Sequence, residues 1–358
     1  MADERIPVIV LGGTGYVSGE LLRLIAGHPR FELAAILSDS QPGESVAKSF
    51  SHLASAYPDT RFSSLADVTA LVTKLPTCAI FCAAPHGAAA ALIDGLLAAA
   101  EKAGTRPRVV DISADYRYAS ADAYAAVYKH AHGAPARISQ FTCAVPEHLA
   151  VSPTPHVAHP GCFATAILLA AVPLLKLGLV EPQLFITGVT GSTGSGRKPV
   201  EGTHHPTRHS DLYAYNPLAH RHAPEVAAIA LAATGVAADF NFVPHSGPFA
   251  RGIHVTLQAT LKSGRAAPMD SAALLAAFQE IYARSPFVSV GAAPPRVKDV
   301  AGSNYARLSV AANGRSVAVM SVLDNLNKGA AGGAVQWMNR LFDLPETSGL
   351  TAPAAGWT

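Results

Sequence analysis

The sequence has little charge and few aromatic residues. Charged residues make up 15% and aromatic residues 7% of its 358 residues, whereas hydrophobic residues make up 49%. The net charge is only +2, which is too small to favour nucleic acid or an anionic membrane surface as a partner. Because a chain this long and this apolar can fill more than one core, we expect two folded domains.

Long apolar runs and framework cysteines are also missing. The longest apolar run, 163–175, contains Pro173 and is shorter than the roughly 20 residues that a membrane-spanning helix needs. At the start of the chain, the apolar run before the glycines is too short to be typical of a signal peptide. There are four cysteines, which we expect to be reduced thiols. The sequence therefore predicts a cytoplasmic protein without a membrane partner.

Histidine is plentiful, but the sequence does not predict a metal site. Three of the 15 histidines, His204, His205 and His209, lie close together in a polar stretch. Metal sites of the common kinds add cysteine or carboxylate ligands at fixed spacings, and none accompanies these histidines. We therefore predict no bound metal.

In the first half of the chain, short apolar runs typical of buried strands alternate with helical patterns. The strand candidates are 6–11, 31–37, 78–84 and 108–112, and the helical patterns between them are 18–26 and 88–103. Alternation of this kind is typical of a parallel, doubly wound sheet of the Rossmann type. We assign it to residues 1–160.

The pattern changes after Pro160, where long strand candidates follow one another with few helices between them. The strand candidates are 184–189, 240–243, 253–261, 306–311 and 316–323, with helices at 163–176 and 271–283. This order predicts a second α+β domain, 161–328, on a mixed or largely antiparallel sheet. The polar stretch 190–222 is predicted to be a long and therefore functional loop. A final helix, about 330–341 within 329–358, is expected to return to the first domain.

The turn after the first strand has the composition of a dinucleotide site. Glycines such as Gly12 and Gly15 let the backbone approach a pyrophosphate, and the next helix offers unpaired N–H groups. Ser18 stands where a third small residue is needed. We predict cofactor contacts at Gly12, Thr14, Gly15, Tyr16 and Ser18, with a plain tight turn as the alternative.

The end of the second strand indicates which nicotinamide cofactor is used. NAD enzymes place an acidic residue there for the ribose 2′-hydroxyl, whereas this chain has Ser38, Asp39 and Ser40. Serine hydroxyls at 38 and 40 can bind a 2′-phosphate without repelling it, although Asp39 complicates the argument. We predict NADP(H).

Cys162 follows a Pro160-Gly161 turn and begins an apolar helical stretch. At a helix N-terminus the dipole favours the thiolate over the thiol, which is the state a nucleophile needs. On spacing alone, a small buried residue at a helix start is an equally good interpretation.

This segment resembles the signature of the N-acetyl-γ-glutamyl-phosphate reductases, PGC-[FY]-x-T with a proline eleven residues past the cysteine. The residues that match it are Pro160, Gly161, Cys162, Phe163, Thr165 and Pro173. Other segments similar to family motifs are Gly12–Glu20, Ala84–Gly87, Asp111–Arg117, Gly191–Arg197, His220–Glu225 and Asp324–Ala331. The departures are Ser18 for a glycine and the histidine-rich insert 203–206.

The resemblance implies NADPH-dependent reduction of an acyl phosphate to an aldehyde through a thioester on Cys162. It also implies a histidine acid/base, for which we favour His222 over His220. It further implies cofactor contacts at Pro85, His86, Gly194 and Asn325, and a homotetramer or homodimer. For the anionic substrate we expect contacts from Ser113, Arg117, Arg197 and Lys198.

Three functions remain compatible with these motifs. The first is reduction of N-acetyl-γ-glutamyl phosphate in arginine biosynthesis. The second is the same chemistry on a carrier-bound aminoadipyl phosphate or an N-succinyl analogue, because the insert leaves the acyl group open. The third is an NADPH-binding regulator without enzyme activity, against which the complete cysteine motif argues.

Overall fold

The computed structural model describes residues 5–264 and 269–356. The predicted domains 1–160, 161–328 and 329–358 also include residues 1–4, 265–268 and 357–358, which lie outside the described residues. The chain divides into two compact units. Unit 1 contains 1–143, 151–159 and 330–351, and unit 2 contains 144–150, 160–329 and 352–358.

Unit 1 contains a six-stranded sheet in the order β2-β1-β3-β4-β6-β5, in which all the pairs are parallel. Its elements before residue 160 are β1 Ile6–Leu11, α1 Tyr16–Ala26, β2 Phe31–Leu37, α2 Val46–Ser49, α3 Leu65–Lys74, β3 Ala79–Cys82, α4 Ala89–Ala103, β4 Arg108–Asp111, α5 Ala121–Tyr128, β5 Phe141–Cys143 and β6 His156–Ala158. The predicted Rossmann-type sheet is confirmed. The strand order reverses beside β1, so the loops after β1 and β3 meet at one edge, where such sheets bind ligands.

Helix α3 was not among the predicted elements, although its start carries a recognisable signal. The Ser64 side chain accepts from the Asp67 N–H while Asp67 accepts from the Ser64 N–H, which forms a capping box. The inward face of the helix is reduced to two fully buried residues, Val68 and Val72. This narrow apolar face explains why hydrophobic periodicity did not reveal it.

Unit 2 contains a seven-stranded mixed sheet in the order β11-β12-β13-β10-β7-β9-β8. Its elements are α6 Cys162–Lys176, β7 Val180–Thr190, α7 His205–Arg208, β8 Tyr213–Ala214, α8 His222–Thr234, β9 Asp239–Ser246, β10 Ile253–Leu261, α9 Ser271–Tyr282, β11 Val288–Gly291, β12 Ala306–Asn313 and β13 Ser316–Leu323. The pairs β7–β9 and β11–β12 are parallel, and the other pairs are antiparallel. The predicted mixed sheet is confirmed.

Unit 2 differs from the sequence prediction in several features, among them the short strand β11, which was not predicted. The stretch 190–222 contains α7, β8 and short 3₁₀ turns rather than a plain loop. Helix α8 was missed, because alanine on most of its faces leaves little helical periodicity. The missed helix matters because it begins at a predicted site residue, His222.

The last helix, α10 (Gly332–Leu341), packs against α1 and β4 within unit 1, as predicted for the returning C-terminal helix. The Asn339 side chain is within 3.0 Å of the His28 ring nitrogen and donates to the Ser348 carbonyl at 2.9 Å. In the described part of the chain, no helix is both long enough and apolar enough to cross a membrane.

A buried tyrosine supplies the hydrogen bond that a proline in α6 cannot donate. Pro173 lies inside α6 and has no N–H to give to the carbonyl of Leu169, four residues earlier. The Tyr282 hydroxyl donates to that carbonyl at 2.7 Å and accepts from His148 Nε2 at 3.0 Å. Burial lowers the pKa of His148 to about 4, so its ring is neutral and can keep this single-donor arrangement.

Replacing Tyr282 with phenylalanine should therefore destabilise unit 2. The change leaves the Leu169 carbonyl without its partner, and an unsatisfied buried carbonyl costs about 1–3 kcal/mol of unfolding free energy. Denaturation with urea measures the loss. In a Pro173→Ala background the N–H at 173 is restored, so the same tyrosine change should cost less. Equal losses in both backgrounds would contradict this account of α6.

Candidate active site

The glycine loop after β1 is pressed against its neighbouring strand ends. Gly12 has a φ of +84°, and a Cβ there would lie 2.5 Å from the Ala84 nitrogen. The hydroxyl of Ser18, which is fully buried, donates to the Gly12 carbonyl at 2.7 Å. Ser18 thus ties the loop to α1, which is a different task from the predicted cofactor contact.

The start of α1 leaves room for a bound group. Gly15 is the N-cap of α1, and no atom lies within 4 Å of the position a Cβ would take there. The first N–H groups of a helix have no intrahelical partners, and Thr14 and the partly exposed Tyr16 flank this position. The loop therefore fits the pyrophosphate of a dinucleotide, which needs close approach and N–H donors.

A second loop, Pro85–Gly87, follows β3 and is held by hydrogen bonds to the Asp115 side chain. The buried Asp115 carboxylate accepts from the Gly87 N–H at 2.7 Å and from the Ala90 N–H at 2.9 Å. Pro85 and His86 themselves are exposed. Because Gly12 touches Ala84, the two loops lie side by side. Sequence reasoning placed Asp115 in a family motif without assigning it this role.

The polar end of β2 presents the residues on which the cofactor prediction rests. Ser38 is buried, and its hydroxyl oxygen lies 3.4 Å from that of Ser40. Ser40 and Asp39 are exposed. The two hydroxyls thus stand together at the strand end, and Asp39, which lies between them in the sequence, is exposed.

Two residues predicted to bind substrate are used to hold the loop after β4. Buried Arg117 donates from Nε to the His159 carbonyl at 3.0 Å and from Nη2 to the Ile112 carbonyl at 2.8 Å. The Ser113 hydroxyl donates to Asp111 at 2.9 Å. Burial raises the pKa of Asp111 to about 6. The structure therefore gives Arg117 and Ser113 a bracing task.

Cys162 is the first residue of α6, as the Pro-Gly turn predicted. The preceding Gly161 is the N-cap, and its N–H donates to the carboxylate of Glu225 at 2.7 Å. Glu225 is fully buried in the first turn of α8. The Thr165 hydroxyl donates to the Gly161 carbonyl at 3.1 Å. Two side chains thus fix the turn that presents Cys162.

Cys162 opens into a cavity of about 500 Å³ within unit 2. The cavity collects residues from several elements, namely Cys162, Phe163, Thr190, Gly194, Ser195, Val200, Gly202, Thr203, Tyr213, Tyr215, Asn216, Ala219, His220, Arg221, His222 and Ser246. It therefore brings together the predicted cysteine, both predicted histidines and Gly194.

The two histidines differ in their surroundings. Their ring centroids lie 4.7 Å apart, and Phe163 packs against both. His220 Nδ1 accepts from the His222 backbone N–H at 3.2 Å, which leaves the neutral ring with its proton on Nε2. Burial, followed by the charge of Arg221, lowers the pKa of His220 to about 4. His220 is therefore a fixed neutral donor near neutral pH.

Other predicted residues lie elsewhere in unit 2. Arg197 and Lys198 are exposed and are not among the cavity residues of the described chain. Asn325 is buried, and its amide accepts from the Gly252 N–H at 2.7 Å and donates to the Thr193 hydroxyl at 3.0 Å. Asn325 thus holds the glycine-rich loop beside Gly194.

The cavity residues that were not predicted from the sequence include Arg221, Tyr215 and Thr190. Arg221 lies between the two histidines and could have been chosen from that motif. Tyr215 is partly buried near Cys162. Burial, followed by the charge of Cys162, raises the pKa of its hydroxyl. The buried Thr190 hydroxyl has no hydrogen-bond partner within the described residues, so it is available to a ligand. No local sequence signal distinguishes Thr190 or Tyr215.

The segment after β13 packs directly on Cys162. Asp324 pairs with Arg251 at 2.8 and 3.0 Å and accepts from the N–H groups of Leu326 and Asn327. A π-helical turn, Asn327–Ala331, follows. Gly329 lies within this turn, and a Cβ there would be 2.8 Å from Cys162 Cβ. A glycine is therefore required at 329.

A buried ion pair anchors the same turn. Lys328 Nζ lies 2.6 Å from Glu147 Oε1, and neither side chain is more than 1% exposed. Lys328 also lies over the Phe287 ring, 5.8 Å from its centroid. Within the described residues, no cluster of three or more histidine, cysteine or acidic side chains could hold a metal ion.

Comparison with known proteins decides the family. Residues 7–150 match the model "Semialdehyde dehydrogenase, NAD binding domain", and residues 162–325 match "Semialdehyde dehydrogenase, dimerisation domain". The chain is 40% identical to an N-acetyl-gamma-glutamyl-phosphate reductase of Ectopseudomonas mendocina, over 98% of this chain and 99% of that protein. It is 39% identical to one of Pseudomonas aeruginosa, with the same coverage. The chain belongs to the N-acetyl-gamma-glutamyl-phosphate reductase family. The resemblance found in the sequence is thereby confirmed.

Solved structures agree on the fold. Aspartate semialdehyde dehydrogenase II of Vibrio cholerae, complexed with ASA, matches with a TM-score of 0.68 at 16% identity, covering 95% of this chain and 99% of that one. Aspartate semialdehyde dehydrogenase with NADP from Candida albicans matches with a TM-score of 0.63 at 14% identity, covering 95% and 99%. At these identities, the likeness shows the fold alone.

Replacing Gly329 with alanine should disturb Cys162 directly. The added methyl group overlaps the cysteine, and overpacking of this kind costs about 1–3 kcal/mol of unfolding free energy. We expect a changed alkylation rate of Cys162, followed by mass spectrometry of its peptide. Gly291→Ala is the matched control, because nothing lies within 4 Å of a Cβ there. An unchanged rate in the Gly329 variant would contradict the contact.

Proposed function

We propose that this enzyme reduces N-acetyl-γ-glutamyl phosphate through a thioester on Cys162. Membership of the family makes the chain an NAD(P)-dependent reductase that forms N-acetylglutamate 5-semialdehyde and phosphate in arginine biosynthesis. The observation that carries the mechanism is the position of Cys162 at the first turn of α6, open to the histidine-lined cavity. A helix N-terminus favours the anion that a nucleophile must become.

The reaction begins with attack of the Cys162 sulfur on the γ-acyl carbon. The carbon–sulfur bond forms, the bond from carbon to the phosphate oxygen breaks, and phosphate leaves. Bound NADPH supplies the hydride that reduces the thioester. The resulting thiohemiacetal collapses by breaking the carbon–sulfur bond, which returns the thiolate and releases the aldehyde. The one proton that the overall reaction consumes ends on the phosphate.

The two histidines take different parts in this proposal. His222 gives a proton to the oxygen of the thiohemiacetal and takes it back when the carbon–sulfur bond breaks. His220 is less suited to that task, because a ring with a pKa of about 4 holds no spare proton at neutral pH. Its Nε2–H is instead a fixed donor that can stabilise developing negative charge on oxygen.

The nicotinamide cofactor is NADP(H) in this proposal. Ser38 and Ser40 offer hydroxyls at the end of β2, where an acidic side chain would repel a 2′-phosphate. The open N-terminus of α1 and the exposed loop Pro85–Gly87 would hold the remaining phosphates. The adjacent Asp39 is the group that works against this choice.

Oligomer and location complete the proposal. We place the enzyme in the cytoplasm, since its four cysteines are thiols. We also propose a homodimer or homotetramer built through unit 2, whose match is to a dimerisation domain. Strands β7 and β10 alternate buried residues with exposed ones such as Phe185 and Gln258, so one sheet face remains available for a second copy.

Replacing Cys162 with serine tests the thioester. We expect the rate of aldehyde formation to fall by about 10⁴-fold or more, because a serine hydroxyl is a much weaker nucleophile here. The same assay compares kcat/KM for NADPH and for NADH, and we expect the higher value with NADPH. Wild-type enzyme mixed with acyl phosphate alone should carry the acyl group on the Cys162 peptide. Cys143→Ser should keep both properties, and substantial turnover by the Cys162 variant would rule the mechanism out.

The histidine roles predict different responses to substitution. His222→Asn should lower kcat by about 10²–10⁴-fold, which is the usual contribution of a general acid/base. It should also remove one limb of the pH dependence of kcat. His220→Asn should lower kcat less and leave that limb in place. If His220→Asn instead has the larger effect and removes the limb, the two assignments must be exchanged.

A further inference from the structure

Arg208 is a buried cation that the mechanism does not use. Arg208 is the last residue of α7 and is 7% exposed. Its Nε, Nη1 and Nη2 atoms are all buried and have no hydrogen-bond partner within the described residues. An arginine cannot give up its charge at any ordinary pH. A buried charge without a counter-ion is unfavourable, so an anion that reached this guanidinium would be stabilised by it.

The chain around Arg208 shows which way its side chain is turned. Between residues 204 and 212, all of which the structure describes, Arg208 is the buried residue and the others are exposed. A loop with its other side chains in water and one turned inward directs that one into the domain. Arg208 is thus the residue through which this loop packs into the domain, although a charged side chain is poorly suited to apolar packing.

The neck of the same loop forms part of the cavity wall. Gly202 and Thr203 line the cavity before Arg208, and Tyr213 and Tyr215 line it afterwards. The Tyr213 hydroxyl donates to the Gly202 carbonyl at 3.2 Å and closes the neck. Arg208 therefore belongs to the loop that borders the Cys162 cavity, and it is not itself among the residues that line that cavity.

We propose that Arg208 binds the α-carboxylate of the acylated amino-acid substrate. This inference rests on the proposed function, which supplies a substrate with two anionic ends. The phosphate end must meet Cys162, where Arg221 already lines the cavity. The carboxylate end does not react and must be held away from the sulfur. A guanidinium matches a carboxylate through two parallel hydrogen bonds, which also fixes the orientation of the substrate.

The test compares two aldehydes in the phosphate-dependent oxidising direction. One is N-acetylglutamate 5-semialdehyde, and the other is 4-acetamidobutanal, which lacks the carboxylate. Arg208→Gln should raise KM for the first aldehyde by about 10²-fold with little change in kcat, as expected for lost ground-state binding. The two enzymes should have similar kcat/KM for the second aldehyde. Arg284→Met, which removes an exposed arginine of unit 2, is the control and should match wild type on both.

Each other outcome has a distinct meaning. If wild-type enzyme oxidises neither aldehyde, the proposed function fails rather than this inference. If Arg208→Gln raises KM for inorganic phosphate and not for the aldehyde, the guanidinium binds the reacting end and the proposal is wrong. If the variant changes only the oligomeric state, a second copy supplies the anion and the proposal is also wrong.

Thermal unfolding without substrate shows whether an Arg208 variant is as stably folded as the wild type. Because the unpaired charge destabilises the substrate-free protein, Arg208→Met should unfold at the wild-type temperature or above it. N-acetyl-L-norvaline, which keeps the carboxylate and lacks the reacting group, should raise the unfolding temperature of wild type and not of the variant. Equal shifts in both proteins would overturn the assignment.

Discussion

The hydrogen bond from the Gly161 N–H to the Glu225 carboxylate is the constraint around which unit 2 is organised. It ties the turn before α6 to the first turn of α8, and so joins the cysteine segment to the histidine segment. A buried carboxylate near a thiolate would normally disfavour the second negative charge. Here the carboxylate accepts from the backbone of the turn, so it fixes the direction of the helix N-terminus that favours the thiolate.

Several polar residues of the family motifs hold backbone rather than face open space. Ser18 ties down the glycine loop, Arg117 holds two carbonyls, and Asn325 braces the loop next to the cavity. Such braces are needed because glycine-rich loops have little conformational preference of their own. A positioned loop then presents its N–H groups without further ordering when a ligand arrives. Precise placement of ligands thus depends on residues that need not touch them.

The sequence was most informative where periodicity was strong. Strands β1, β2, β10 and β13 occupy the predicted residues, because alternating or continuous apolar runs report burial directly. Helix α8 and the three-residue strands β5 and β6 were missed, since an alanine-rich helix has weak amphipathicity and a very short strand has no period. Helices and strands could therefore be predicted from the sequence where one face of the element is buried.

The candidate site followed a similar division. Cys162, His220 and His222 were named because motifs carry them, and the structure gathers all three at one cavity. Arg197 and Lys198 were named because they are cations in a glycine-rich loop, but they are exposed away from it. Arg208 was overlooked because nothing in its local sequence tells an inward arginine from a solvated one. Burial of a charge is a property of the folded chain, and it becomes visible only when the surrounding atoms are known.

The two arginines of this region suit two different demands on an anion. In the proposed mechanism the phosphate must leave before hydride transfer, so an exposed cation such as Arg221 can attract it without retaining it, since water screens the interaction. The carboxylate must stay through acylation, reduction and collapse, so that the acyl carbon keeps its place. A cation removed from water interacts more strongly with an anion because the local dielectric constant is low. With the proposed assignment of Arg208, the difference in burial between the two arginines separates the group that departs from the group that must remain.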